Sequence, residues 1–276
     1  MLTLSEKEFK RLSEFATSQI GISFPEIKMT MLQARLQKRL RILGMNDFKE
    51  YIDYLFSAAG EENESGEFIN AVTTNKTDFF REPHHFQFLT GQALPTLEHE
   101  GLLTHRRLHA WSAASSYGHE AYTLGMVLSE YAQAQPGFTW SVLATDISTR
   151  VLRHGVEGVY RTEDIDAIPM NLKKKYLLRS RDPMKNVVRI VPSIRERVEF
   201  RRLNLTQQEF NIDGTFEVIF CRNVIIYFEK QTQVEILTHL FQYLQPGGYL
   251  FLGHSESLNG VSLHVESVAP TIYRKY

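Results

Sequence analysis

The chain has one cysteine, Cys221, so neither an intrachain disulfide nor a cysteine-ligated metal centre can form. That usage fits a reducing compartment, and a cytoplasmic location is the expectation. No apolar run approaches the roughly 18–20 residues that cross a bilayer as a helix. Acidic Glu6 and Glu8 stand where a secretory leader would carry its apolar stretch. Direct membrane insertion is therefore not expected. An excess of one charge is missing too: 31 Lys and Arg oppose 32 Asp and Glu, for a formal net charge of −1. Such a balance gives no whole-chain attraction to nucleic acid, so an electrostatic partner must be read by a local patch. Adjacent His84 and His85 are a poor metal lead, because neighbours on a helix or strand point apart, and no metal is expected. GHSES (253–257) lacks the final glycine of the G-x-S-x-G hydrolase elbow.

What is present suits a globular fold: 43% of the 276 residues are hydrophobic and 23% charged. That length accommodates a large domain with a small one. Residues 1–70 read as an all-helical domain. Ser5 and Glu8 resemble a capping box, followed at helical spacing by Phe9, Leu12, Phe15, Ala16 and Ile20, with Gly21 as C-cap. A second helix from Lys28 to Leu43 buries Met31, Leu32, Leu36, Leu40 and Leu43. Its polar side carries Lys28, Arg35, Lys38, Arg39 and Arg41, and no acid falls between Glu26 and Asp47. Phe48, Tyr51, Ile52 and Leu55 suggest a third helix, and AAGEENESGE (58–67) reads as a loop.

Residues 71–276 change character. RLHAWSA (107–113), TWSVLATD (139–146), RVEFRRLN (197–204), FEVIFCRN (216–223) and GYLFLGHS (248–255) read as strands, with helices over 119–134, 149–154 and 231–244. Strands alternating with helices predict an α/β fold with a parallel sheet covered on both faces. A small antiparallel β insertion is expected over 174–200, and TIYRKY (271–276) reads as an edge strand. Pro83 should break any helix in the segment that precedes the sheet.

Ligands in such sheets bind beyond the carboxyl ends of the strands, near the switch in strand order. SAASSYGHEAYTLGM (112–126) offers a small-residue turn entering a helix, which would let the backbone approach an anionic group. Asp146 is placed to accept hydrogen bonds from a ribose, and equally to cap the following helix. Asn204 could meet an adenine edge or simply form a turn. Arg222 and Asn223 stand where the fourth strand delivers the chain to the site, with Tyr227 four residues on. Asn75, Thr77 and Arg81 flank Phe79 and Phe80 in the linker. Cys221 is expected to be buried and inert.

NKTDFFREPHHF, WSAASSYGHEAYTLGM, LATDIS, LNL, FCRNVIIYF and PGGYLFLGHSESL follow one another in order, and together they resemble the CheR-type chemotaxis receptor methyltransferases over nearly the whole chain. The resemblance implies a helical N-terminal domain joined by a linker to a Rossmann-like methyltransferase domain dependent on S-adenosylmethionine. It implies methylation of glutamate side chains of chemoreceptors, giving methyl esters and S-adenosylhomocysteine. Asn75, Thr77, Arg81, Glu120, Asp146, Asn204, Leu205, Arg222 and Asn223 would then bind the cofactor, with Asp146 on the ribose and Asn204 and Leu205 bordering the adenine. Tyr227 matches the tyrosine beside the transferred methyl, and Arg222 would fix the local geometry. Arg35, Lys38 and Arg39 would dock glutamate-rich receptor helices, and the β insertion would offer an edge to a receptor C-terminal tail. Nothing requires more than a monomer. One departure stands out: the family usually has Ser-Thr-Gly-Glu-Glu-Pro where this chain has Ser116, Tyr117, Gly118, His119, Glu120 and Ala121. A non-catalytic signalling adaptor of the same fold is the alternative which that departure suggests.

Overall fold

A computed structural model describes residues 2–182 and 184–276. The chain opens with five helices: α1 (Glu6–Ile20), α2 (Met29–Leu43), α3 (Phe48–Leu55), α4 (Ala58–Asn63) and α5 (Ser65–Val72). The capping box is formed: Ser5 Oγ accepts from the Glu8 N–H and Glu8 Oε2 accepts from the Ser5 N–H. Gly21 ends α1 at φ 69°, where an added Cβ would lie 2.5 Å from Thr206 Cγ2. Glycine serves there for its left-handed backbone and for the close approach of the other domain. The helices bury Phe9, Leu12, Leu32, Leu36, Leu40, Tyr51 and Phe68 against one another, and apolar burial of this kind is the main term holding such a module together.

The stretch expected to be a loop at 58–67 is helical instead, covering α4 and the start of α5. Two features outweigh its polar composition. Ser57 caps α4 by accepting from the Gly60 N–H at 3.1 Å. Glu64 is buried and accepts from Arg39 Nε at 2.9 Å, Arg39 Nη2 at 2.6 Å and the Tyr51 hydroxyl at 3.0 Å. A buried, bidentate pair of this kind fixes the register of α2 against α5.

A continuous helical segment follows: α6 (Pro83–Phe88), a π turn over Leu89–Ala93, and α7 (Leu94–His99). Pro83 opens α6 rather than preventing it, since its missing N–H costs nothing at a first helical position. The main sheet comprises β1 (Arg107–Ala113), β2 (Thr139–Asp146), β6 (Val198–Arg202), β7 (Phe216–Cys221), β8 (Leu244–Leu252), β9 (Val265–Ala269) and β10 (Ile272–Lys275). Its order is β6-β2-β1-β7-β8-β10-β9. The first five strands are parallel, and β10 runs antiparallel to both β8 and β9. TIYRKY is thus an interior strand, and Val265–Ala269 is the edge. That outer strand has only intermediate and exposed positions, so no apolar alternation marks it. β7 is buried at all six positions, as the centre of a sheet covered on both faces should be. The covering helices are α8 (His119–Ala134), α9 (Thr149–Glu157) and α12 (Lys230–Tyr243).

A separate three-stranded antiparallel sheet comprises β3 (Val159–Arg161), β4 (Leu177–Arg179) and β5 (Val187–Ile190), in the order β3-β5-β4. Two short helices flank it, α10 (Met170–Tyr176) and α11 (Pro192–Arg195). The insertion therefore begins at Val159 rather than 174, and the strand near 200 belongs to the main sheet. Three residues are too few to reveal a strand by alternation. Among the described residues, no helix is long and apolar enough to cross a membrane.

Candidate active site

The switch in strand order lies between β1 and β7, and four segments leave the carboxyl ends of β2, β1, β6 and β7 around it. The linker after α5 and the end of α1 close the other side. The resulting cleft, with the open solvent at its mouth, encloses about 970 Å³. Asn75, Thr77, Arg81, Glu120, Asp146, Asn204, Leu205, Arg222, Asn223 and Tyr227 all line it. Sequence reasoning missed Ile20 and Ile22, which bring the helical domain into the wall. Nothing in an ordinary helix end signals such a role.

The turn after β1 is bent by three left-handed residues in five, Ala114 at φ 59°, Ser116 at φ 51° and Gly118 at φ 86°. Only the last is glycine, so the first two are held by their surroundings. Ser115 N–H donates to the Thr145 carbonyl at 2.8 Å, and Ser116 N–H donates to Asp146 Oδ2 at 2.9 Å. Ser116 Oγ donates to the Asn75 carbonyl at 2.9 Å, which ties the linker to the turn. Asp146 Oδ1 accepts from the Ser148 N–H at 2.9 Å. Ser148, not Asp146, is the N-cap of α9. Asp146 therefore uses one lone pair of each oxygen on the backbone and retains the others. Burial pushes its carboxyl upward, against the backbone donors at Ser148 and Ser116.

Tyr117 and His119 do not line the cleft. The Tyr117 ring lies 5.1 Å from His154, and the His119 ring packs 4.6 Å from Phe79 and 4.8 Å from Tyr160. Both departures from the family pattern thus sit behind the turn, in an aromatic cluster.

Arg222 is the electrostatic centre. Its guanidinium is 2% exposed and lies 3.1 Å from Glu82 Oε2 and 3.1 Å from Glu120 Oε2, while Nη2 donates to the Arg81 carbonyl at 2.5 Å. Glu120 Oε1 accepts from Ser112 Oγ at 2.7 Å. Burial pushes Glu120 upward, with Arg222 opposing it. Burial also pushes Glu82 up, but Arg222 overrides that and leaves it below the ordinary range. Asn204 is more constrained than an adenine-reading amide would be: Nδ2 donates to the Gln19 carbonyl at 2.8 Å, and Oδ1 accepts from Thr206 N–H and Oγ1. It borders the cleft while clasping α1.

The basic side chains of α2 are not a free row. Arg35 donates to the Val72 and Thr73 carbonyls and to Thr74 Oγ1, and Arg39 is held by Glu64 and Glu67. Arg35 and Arg39, expected to dock receptor helices, also tie α2 to the linker and to α5, because Val72, Thr73 and Glu64 lie within their reach. Lys38 is exposed. The His84 and His85 rings do not point apart, since their centroids are 4.1 Å apart, with His254 stacked 4.7 Å from His84. Among the described residues, no group of three or more His, Cys, Asp or Glu side chains could hold a metal ion.

Burial, with Arg222 adding to it, holds the His85 imidazole down at about 3, and burial holds His119 at about 4. A histidine depressed in the folded state is protonated first in the unfolded chain. Stability is then full above the unfolded value of about 6.5 and is lost as pH falls toward the folded values, by about 1.4 kcal/mol per pH unit for each group. Glu217, pushed up to about 7 by burial, acts in the opposite sense over the same range, so the test is differential. Between pH 7.5 and 5.5 the urea midpoint of His119→Gln should change less unfavourably than the parent's, and equal changes in the two proteins would refute the assignment.

Two buried polar atoms on the cleft wall, Ser115 Oγ and Arg222 Nε, have no hydrogen-bond partner among the described residues. With the spare lone pairs of Asp146, they offer donors and an acceptor to a ligand carrying ribose hydroxyls and a carboxylate, and S-adenosylmethionine has both. Comparison with known proteins agrees. Residues 7–73 match the all-alpha domain of CheR methyltransferases, and residues 75–274 match their SAM binding domain. The chain is 39% identical to chemotaxis protein methyltransferase 2 of Pseudomonas aeruginosa, over 98% of this chain and 93% of that one. It is 37% identical to the chemotaxis protein methyltransferase of Salmonella typhimurium, over 99% and 91%, and 36% identical to that of Borreliella burgdorferi, over 99% and 96%. This chain belongs to the CheR methyltransferase family and uses S-adenosylmethionine as its methyl donor.

Proposed function

We propose that the protein esterifies glutamate side chains on the cytoplasmic helices of chemoreceptors. The observation that carries this reading is the chemistry of the wall around Tyr227. Lys28 Nζ lies 5.8 Å from the centre of the Tyr227 ring, and Arg35 is close enough for the two to interact electrostatically. No histidine lines the cleft among the described residues, Glu120 and Asp146 are already engaged by Arg222, Ser112 and backbone donors, and the third acid of the wall, Asp78, stands exposed on the linker. An amine or hydroxyl substrate needs a base to take its proton. A glutamate, with a pKa near 4.3, is already ionised and needs none. A cationic rim around Tyr227 suits a carboxylate nucleophile.

S-adenosylmethionine, when bound, supplies a methyl on a positively charged sulfur, already activated for transfer. Within this reading Asp146 holds the ribose, Arg81 pairs with the carboxylate end, and Asn204 and Leu205 border the ring. Tyr227 orients the substrate carboxylate, and Arg222 fixes the floor through Glu82 and Glu120. The new bond joins a carboxylate oxygen to carbon as the sulfur–carbon bond breaks, so no proton moves and alignment is the chief requirement. The adaptor alternative loses its motive, because Tyr117 and His119 face away from the cleft.

The test uses a receptor cytoplasmic fragment and methyl-labelled cofactor. Label released by mild alkali as methanol is expected, and alkali-stable label would overturn the carboxylate reading. In the same assay Tyr227→Phe should lower kcat by about tenfold, the worth of one hydrogen bond, with little change in S-adenosylhomocysteine affinity. Equal losses in both would sink the role given to Tyr227.

A further inference from the structure

GHSES (253–257) failed as a hydrolase elbow, and Glu256 takes no part in the cleft wall. Its carboxylate nonetheless reaches the loop that does. After β7 the chain passes through Arg222 and Asn223 into a single 3-10 turn, Ile225–Tyr227. The start of any helical turn leaves backbone N–H groups without partners inside it. Here three successive N–H groups find one distant side chain. Glu256 Oε2 accepts from Asn223 at 2.8 Å, and Oε1 accepts from Val224 at 2.8 Å and Ile225 at 2.9 Å. Gly253 N–H donates to Oε2 at 2.7 Å, so one buried carboxylate holds four backbone donors.

The loop needs such a clamp. Asn223 sits at φ 58°, in the left-handed region that a non-glycine residue keeps only when its surroundings over-determine it. Gly253 is fitted to the same purpose: an added Cβ would lie 2.5 Å from Asn223 Nδ2 and 2.8 Å from both Asn223 N and Glu256 Oε2. Asn223, Val224, Tyr227 and Phe228 all line the cleft. The geometry points to Glu256 as the positioning residue of this reaction, setting the loop that presents Asn223 to the cofactor and Tyr227 to the reacting carboxylate. This rests on reading Arg222–Phe228 as a wall of the site. A carboxylate is required because each oxygen accepts twice. An isosteric amide keeps one such oxygen and turns its own N–H groups against the remaining donors.

The experiment compares the full chain with Glu256→Gln and Gly253→Ala. The readouts are amide hydrogen exchange at 223–225, S-adenosylhomocysteine affinity by calorimetry, receptor-fragment methylation and melting temperature. Glu256→Gln should abolish exchange protection at Asn223, Val224 and Ile225. It should also lower kcat at least about tenfold, with cofactor affinity changed less than about threefold, since the other walls remain. Gly253→Ala should move the same readouts in the same direction with the carboxylate intact, and it decides the question if Glu256→Gln does not fold. Unchanged protection at 223–225 would overturn the proposal. So would a lower melting temperature accompanied by unchanged kcat, which marks a merely structural role. A parent protein that binds no S-adenosylhomocysteine would overturn the cofactor reading, while the exchange comparison would still decide for or against Glu256.

Discussion

Asp146→Ala should raise the Kd for S-adenosylhomocysteine by about a hundredfold or more. Two ribose hydroxyls donating to one ionised acceptor contribute about 1.5–3 kcal/mol each, and about 2.7 kcal/mol already amounts to a hundredfold. The substitution does a second kind of damage. Ser116 and Ser148 both direct backbone N–H groups at this carboxylate from 2.9 Å. Removing it leaves both donors stranded and frees a turn that is held in left-handed geometry at Ala114 and Ser116. Calorimetry on the parent, Asp146→Asn and Asp146→Ala separates the two effects. The amide keeps one acceptor oxygen and should fall between the others. A Kd within about tenfold of the parent for the alanine variant would remove Asp146 from the ribose site.

Arg222→Met should cost about 3–5 kcal/mol of folding stability, the range for breaking a buried ion pair by deleting one partner. The two carboxylates it leaves are not equally exposed to water: Glu82 and Glu120 side chains are 8% and 15% accessible. Without the guanidinium, burial outweighs the remaining donors at Ser112, Asn223 and His254, pushing Glu82 above its unfolded value and Glu120, already raised, further up. At Glu82 the sign then reverses from the parent's, while at Glu120 it keeps its sense and grows. A carboxyl raised in the folded state binds its proton there first, so the variant gains stability, relative to the parent, as pH falls through the raised values. Urea unfolding at pH 7.5 and 5.5 should show the deficit shrinking at the lower pH, and adding Glu120→Gln to Arg222→Met should recover part of it. A loss below about 1 kcal/mol at pH 7.5 would mean that water, not Arg222, satisfies these groups.

The parallel core was legible because its signals are local and redundant. The buried run FEVIFC, the small-residue turn and the acid closing TWSVLATD each declare position within a few residues. Most of the cleft residues were legible for the same reason, since they follow a strand end or sit in the linker; Ile20 and Ile22, at and just past the end of α1, do neither. What escaped was decided at long range. AAGEENESGE becomes helical because Glu64 finds Arg39 across 25 residues, which composition cannot express. Arg35 and Arg39 read as a free basic row, yet their partners Val72 and Glu64 lie beyond any helical window. Ile272–Lys275 lies inside the sheet only because Val265–Ala269 folds back on it. Glu256 is legible only once the loop it clamps has been placed.

The candidate cleft is shared across the boundary between modules. Ile20 and Ile22 from the helical part form wall with Leu203, Asn204 and Phe228 from the sheet, the Asn204 amide grips the Gln19 carbonyl, and Ile22 bridges to Phe228. Such a seam makes the two modules one functional unit: exchanging the helical module alone would bring foreign residues against a pocket shaped to Ile20 and Ile22.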